Sequence, residues 1–426
     1  MNKYYIIIIV FLININICIN DFNFMDWGLK NKIELSHLIE VSTNKDVKKF
    51  IAREDIEMKK DLLKIPYDAT FNVEKVLNLL NSNELKLQYE LFKKTNITKY
   101  GRKDINLQKE EIFLSYILYL VKHESEIYNT TEFYQKYKTY LSSLDKYLPR
   151  SPLFFTNDQI EYLQGTNLGY FHNKIKKIFE EEIKIFGSES YYNKSIEYKD
   201  YVHMRLIIEN KGLEVLGHTN MIPFLNYFDR DYMRYNAKYV VDKNGDVKII
   251  STKLIKKGEI IIVRSVRRTN VERILFEGEL NNNYISYKED YIIPAFSPGL
   301  YYKYDIDDLE LYNTYYINLI GKHFDLNALS LYKNFSKLFE GDEGNAWAYT
   351  VMLENIMFYK EYVDTFKQAR INKIFNNFDD RILIEKAMKG EAKLLLKSSE
   401  YVKNKLQHLI IIEKQDKERK KKNSDL

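Results

Sequence analysis

The seven histidines (His37, His123, His172, His203, His218, His323 and His408) fall at no metal-ligand spacing, and no HExxH is present. Each reads as an ordinary core or surface residue. The chain also lacks a glycine-rich phosphate loop and a GxSxG elbow, so kinase, hydrolase and zinc-enzyme chemistry have no support. Its one cysteine, Cys18, lies within residues 1–20. Removal of that segment leaves no thiol, and with it no disulfide, cysteine nucleophile or thiolate metal site. What remains for chemistry is a polar stretch fed by a buried-looking strand, "IKKGEIIIVRSVRRTNVERILFEGELNNN", at 255–283. Ser265, Asn270 and Glu277 stand along it. Lys257-Gly258 is a turn, "EIIIV" an apolar β-branched run, and "NVERILFEG" a capped helical turn that Gly278 stops.

The elements that position such residues come from a chain of 426 residues, long enough for two or three domains. With 45% hydrophobic and 15% aromatic residues it can bury a sizeable core, and a net charge of only +5 makes the body no obvious polyanion binder. No nucleic acid is expected as a partner. The opening "MNKYYIIIIVFLININICIN" has one lysine and then an apolar stretch from Tyr4 to Ile13, too short to span a bilayer. Residues 1–20 read as a signal peptide, which places the protein in the secretory pathway or outside the cell; the alternatives are a short anchor or a buried strand. The ending "KQDKERKKKNSDL" reads as a solvated basic tail over 410–426, the only segment with a route to membrane contact.

The fold class expected is α+β. Residues 28–72 alternate apolar and polar over short runs and read as strands, and 73–215 reads as helices such as "KEEIFLSYILYLVKHE". Strands return over 216–300, where Asn244-Gly245 in "AKYVVDKNGDVKIIST" is a strong hairpin signal. Neither strand zone is stable alone, so the two must pair. Residues 305–409 are expected to be all-α, with long amphipathic segments. The architecture is a β domain split by a helical insert and followed by a helical domain.

Several motifs in one order carry a resemblance. "YLSSLDKYLPRSPLFFTNDQIEYLQGTNL" holds Leu148-Pro149, Pro152, Phe154-Phe155 and Leu163-Gln164-Gly165-Thr166. "LLKIPYDAT" holds Ile65-Pro66, and "NMIPFLNYFDR" begins a segment at Pro223. The 255–283 stretch supplies a Gly-Glu, a strand, an Asn and a helix, and "RILIEKAMKGEAKLLLKSSEYVKNKL" contains Gly390-Glu391. Together these resemble the SET-domain methyltransferases of the Rubisco large-subunit methyltransferase and SETD type, over nearly the whole mature chain. The resemblance implies a split SET-like β domain, a helical substrate-binding domain, and S-adenosylmethionine facing a protein lysine or histidine across a narrow channel.

The family's functional residues carry over poorly. Its Gly-x-Gly, where the backbone approaches the cofactor, corresponds to "STNKDVKKFIA", which has no glycine and requires Lys48 and Lys49 to point elsewhere. Its cofactor-contacting Asn-His falls on Asp229 and Arg230, which present different donors and acceptors. The strand Tyr falls on Ser265 and the final Tyr-Gly-Phe on Glu277-Gly278-Glu279, while Asn270 matches. Asp229, Arg230 and Asn270 are thus the positional equivalents of a cofactor site, and Ser265 and Glu277 of the channel tyrosines. Glu277 has two readings, a new general base for a lysine or a solvated helix-end carboxylate. The expectation is a non-catalytic SET-like module that binds a protein through 305–409 and needs no cofactor; the alternative is an active S-adenosylmethionine-dependent N-methyltransferase with a rebuilt site.

Overall fold

The computed structural model describes residues 24–44, 47–98, 104–144, 150–163, 166–192, 194–231, 234–265, 268, 270–278 and 374–389, with single positions between 400 and 419. Residues 1–20, expected to be a signal peptide, Cys18, Leu148-Pro149, Gln164-Gly165, Glu279, Gly390-Glu391, most of the 305–409 region and most of the tail lie outside the described residues. Two compact units emerge. One comprises Met1–Pro149 and Lys177–Arg267, the other Arg150–Lys176 and Arg268–Leu426.

The first element described in the first unit is a helix, α1, over 24–30, whose last three residues fall within the 28–72 zone expected to be strands. The apolar side chains of "FMDWGLK" pack Phe24 and Trp27 into an aromatic core with Tyr140, Phe224 and Tyr227, and that burial outweighs local alternation. Strands β1 (Glu34–Leu35), β2 (Ile39–Asn44), β3 (Val47–Ala52) and β4 (Asp61–Ile65) follow. Pro66 stops β4 and caps a 3-10 turn, Tyr67–Ala69. Six helices come next: α2 (Val73–Leu80), α3 (Asn83–Lys94), α4 (Ile105–His123), α5 (Ser125–Tyr128), α6 (Glu132–Leu144) and, in the second unit, α7 (Asn157–Tyr162). Asn72, Ser82 and Asp104 accept backbone N–H bonds at the starts of α2, α3 and α4, the groups a helix N-terminus leaves orphaned.

Helix α8 (Asn167–Phe186) precedes α9 (Tyr198–Lys211). Between them lies a fully buried charged group: Arg205 Nε donates to Glu182 at 2.9 Å, Tyr201 OH donates to the same oxygen at 2.8 Å, and the guanidinium faces the Phe179 ring. Burial pushes the Glu182 carboxyl up and the Arg205 charge opposes it. Helix α9 ends at Lys211, and residues 212–215, expected to be helical, form β5 (Gly212–Val215), which hairpins with β6 (His218–Met221).

The main sheet has six strands in the order β1-β4-β9-β8-β10-β7, using β7 (Asp229–Arg230), β8 (Ala237–Val241), β9 (Val247–Ser251) and β10 (Ile262–Val263). The two strand zones pair as expected, through β4 against β9 with Leu63 opposite Ile249. Their inward side chains, Leu63, Ile65, Val247 and Ile249, are buried. The Asn244-Gly245 hairpin forms with a longer loop than a two-residue turn. Gly245 N donates to Asp242 O at 3.0 Å and only Gly245 takes positive φ, +87°, a turn followed by a left-handed glycine.

Candidate functional site

Strand β3 and the 255–263 run meet in the first unit. Ile51 bridges Ile260, Ala52 N donates to Glu259 O, and Ile261 N donates to Phe50 O at 2.9 Å. The apolar run is thus shared: its first half borders the β2–β3 hairpin and its second half, β10, enters the main sheet. Gly258, at φ +79°, makes the turn that starts it and donates to Ala52 O.

Strand β10 then pairs parallel to β7, with Ile262 opposite Asp229 and Val263 opposite Arg230, and parallel to β8. Asn236, fully buried, locks this junction by donating to Ile260 O and accepting from Ile262 N at 2.7 Å. Below it, Phe50 packs against Tyr227 and Phe228, with centroids 5.4 and 4.8 Å away. The structure therefore brings together three of the segments singled out by sequence: the hairpin around Lys49, the Pro223–Arg230 segment, and the closing run up to Ser265.

Lys49 points out of β3 directly at β7. Its ammonium lies 2.8 Å from each Asp229 carboxylate oxygen. Arg230 turns the other way and donates to Asn210 O. Ser265 donates its backbone N–H to Asp231 O at 3.4 Å, and Asp231 is ion-paired with Arg234 at 3.2 Å. The side chain of Lys48 lies outside the described residues.

The second unit holds the rest. Helix α10 (Asn270–Glu277) opens with Asn270, whose side chain lies outside the described residues. Glu277 closes it, and its carboxylate accepts from Arg268 at 2.9 Å, while Arg268 lies over the Phe276 ring. Neither reading made of Glu277 from sequence describes this: the carboxylate is neither an open base nor simply solvated. Ser151 Oγ donates to Leu275 O, and Arg150 pairs with Asp379.

The histidines take separate roles. His218 meets Glu110 at 2.8 Å, His123 meets Asp200 at 3.4 Å, and His172 contacts Asn173 at 3.1 Å with burial holding its basicity down. Among the described residues no three His, Cys, Asp or Glu side chains group as metal ligands. No described helix is long and apolar enough to cross a membrane.

No protein-family model matches the chain, and no curated protein matches its sequence. Solved structures do match its fold. The SET domain of LSMT bound to lysine and AdoHcy superposes at TM-score 0.58 with 13% identity, covering 91% of each chain. The architecture is a SET-domain fold. Rubisco LSMT bound to AdoMet matches at TM-score 0.58 and 13% identity over 91% of this chain and 92% of that one, and LSMT bound to methyllysine and AdoHcy at 0.57, 14%, 92% and 93%.

Within the SET fold, the group implied by resemblance is S-adenosylmethionine, laid between the Gly-x-Gly segment and the Asn-His segment. Here a lysine side chain crosses from the first of these segments to the second and is held there by a carboxylate. The residues present at these positions do not fit that cofactor as arranged. A Gly-x-Gly leaves room for a ligand against the backbone, and the corresponding stretch here carries Lys49, whose side chain runs to Asp229. Asp229 and Arg230, the equivalents of the Asn-His pair, have their charged groups directed at Lys49 and at the Asn210 carbonyl. Sequence reasoning found these positions but not their pairing, nor the buried Glu182–Arg205 pair. The one visible signal for the latter was an arginine directly preceding the apolar run Leu206-Ile207-Ile208.

Proposed function

We propose that this chain is a SET-like protein without methyl-transfer activity, acting as a protein-binding module in the secretory pathway or outside the cell. The observation that carries the reading is the Arg268–Glu277 ion pair at the position the resemblance gives to a channel phenol. A neutral hydroxyl aimed at an amine orients it without taking its proton. A carboxylate held 2.9 Å from a guanidinium, with Arg268 nearly buried, instead spends its acceptor capacity on its neighbour. Ser265 replaces the other phenol with a side chain too short to stand in for it.

Loss of one preorganised donor typically slows a reaction by about a hundredfold to a thousandfold. Losing both channel tyrosines together with the glycines leaves little transfer even where the losses are strongly non-additive. No cofactor is required by this reading. The partner is a protein, taken up through the C-terminal region 305–409 that the resemblance implies docks substrate protein.

The fold itself favours one rival, since solved structures sharing it hold AdoMet or AdoHcy and lysine. A protein-lysine or protein-histidine N-methyltransferase is therefore the alternative. Incubation of the purified chain with methyl-labelled S-adenosylmethionine and a protein extract separates the two. The expected result is no label above a heat-denatured control; label on lysine or histidine would sink the non-catalytic reading.

A further inference from the structure

We propose that the Lys49 side chain, pinned by Asp229, is an internal plug that shuts the cleft between β3 and β7 to ligands of the S-adenosylmethionine class. The inference rests on the SET reading of the fold, not on the loss of catalysis. A protein can bind this ligand and transfer nothing, so the plug can fail while the non-catalytic reading stands.

Paired strands and packed rings fix the segments on either side of this ion pair. Strand β7 keeps its parallel pairing to β10 with Ile262 opposite Asp229, the hairpin keeps its bridge from Ile51 to Ile260, and Phe50 seals the floor against Tyr227 and Phe228. What differs is a four-carbon stem and an ammonium that reach 2.8 Å from both oxygens of Asp229, across residues 180 apart in the chain.

The charges alone are a weak lock. Lys49 and Asp229 are 35% and 33% exposed, and a pair so accessible to water changes an equilibrium by roughly fivefold at most. The stem is a stronger one. Any ligand must displace it bodily, because a glycine backbone is what lets such a ligand approach, and here every residue from Ser42 to Ala52 carries a side chain. Closure therefore resides chiefly in the bulk of Lys49, with the Asp229 pairing fixing where that bulk points.

The test is calorimetric titration of the full chain with S-adenosylhomocysteine, comparing wild type with Lys49→Gly, Lys49→Met and Asp229→Asn, each checked by circular dichroism. Lys49→Met keeps the stem and removes the charge, and Asp229→Asn removes only the pairing. The expected result is binding by wild type at least tenfold weaker than by Lys49→Gly, gains over wild type of no more than about fivefold from either conservative variant, and binding by Lys49→Gly at least tenfold tighter than by Lys49→Met.

Wild type that binds as well as Lys49→Gly overturns the plug, as does a folded Lys49→Gly that does not bind, or a Lys49→Met that matches it. Should Lys49→Gly misfold, the double variant Lys49→Ala with Asp229→Ala avoids a glycine within β3 and applies the same criterion. Methyl transfer by wild type would overturn both the plug and the non-catalytic reading, since transfer requires the donor to bind; wild-type binding without transfer would overturn the plug alone.

Discussion

Lys75 illustrates how a single residue records its surroundings. Its ammonium lies 3.3 Å from the centroid of the Tyr67 ring and donates to the carbonyls of Tyr67 and Thr70, beside a second lysine, Lys136, that donates to Asp68 O. Burial of the charged amine lowers its pKa to about 8, with Asp68 resisting and Lys136 assisting. A folded pKa below the unfolded one, near 10.5, means that between those values the unfolded chain binds more protons than the folded one. Stability contributed by this group therefore rises with pH from about 8 toward 10.5 and is lowest below that window. Lys75→Met should flatten the rise in denaturation midpoint between pH 8 and 10 relative to wild type. Parallel curves would show that the two carbonyls and the ring offset the cost of burial.

Among the elements, the end of α10 depends on one glycine. Gly278 has φ +67° and donates to Arg273 O and Ile274 O, and a Cβ there would come within 2.4 Å of the Arg150 backbone nitrogen. Left-handed backbone costs an alanine about 1–2 kcal/mol, and overlap with backbone, which cannot rotate away, adds to it. Gly278→Ala should therefore lower the stability of the second unit by more than 2 kcal/mol, near the upper end of that estimate plus the overlap. Asparagine tolerates the left-handed region but keeps the Cβ, so Gly278→Asn should be nearly as harmful in thermal unfolding. A Gly278→Asn protein as stable as wild type would show that Arg150 moves aside.

This glycine, the Gly258 turn, the Asn244-Gly245 hairpin and the strand ended by Pro66 were all legible in the sequence, because each depends on backbone preferences within a few residues. Two elements were not. Helix α1 was hidden because its aromatic side chains find partners more than a hundred residues away, in Tyr140, Phe224 and Tyr227. Strand β5 was hidden because it continues directly from α9, and a Cβ on Gly212 would meet Ile208 O at 2.6 Å where the chain turns. At the candidate site the resemblance singled out Asp229, Ser265 and Glu277, but the side chains and backbone groups they meet were not legible. Lys49 reaches Asp229 only because β10 threads between β7 and β8, and no local pattern encodes that.

For the first unit as a whole, the consequence is that its parts cannot fold in chain order. Strands β1 and β4 precede the long helical insert, while β9, the strand that covers β4, follows it. A fragment of residues 24–211 would keep α1, the hairpin and most of the helices but lose every strand from β5 onward. It would lose Val247, Ile249 and Ile261, each fully buried in the structure, from the core that also holds Leu63 and Ile65, and would free the edge of β4. Burying one such side chain contributes about 1.5–3 kcal/mol, so three of them outweigh a large part of a typical domain's 5–15 kcal/mol. The fragment should therefore show helical circular dichroism without a cooperative thermal transition or near-ultraviolet signal. Closing a sheet across so long a separation is also slow, so the full unit should refold more slowly than an all-helical unit of similar size. A sharp cooperative melt of the 24–211 fragment would mean that the helices form a core of their own and that the strands dock onto it afterwards.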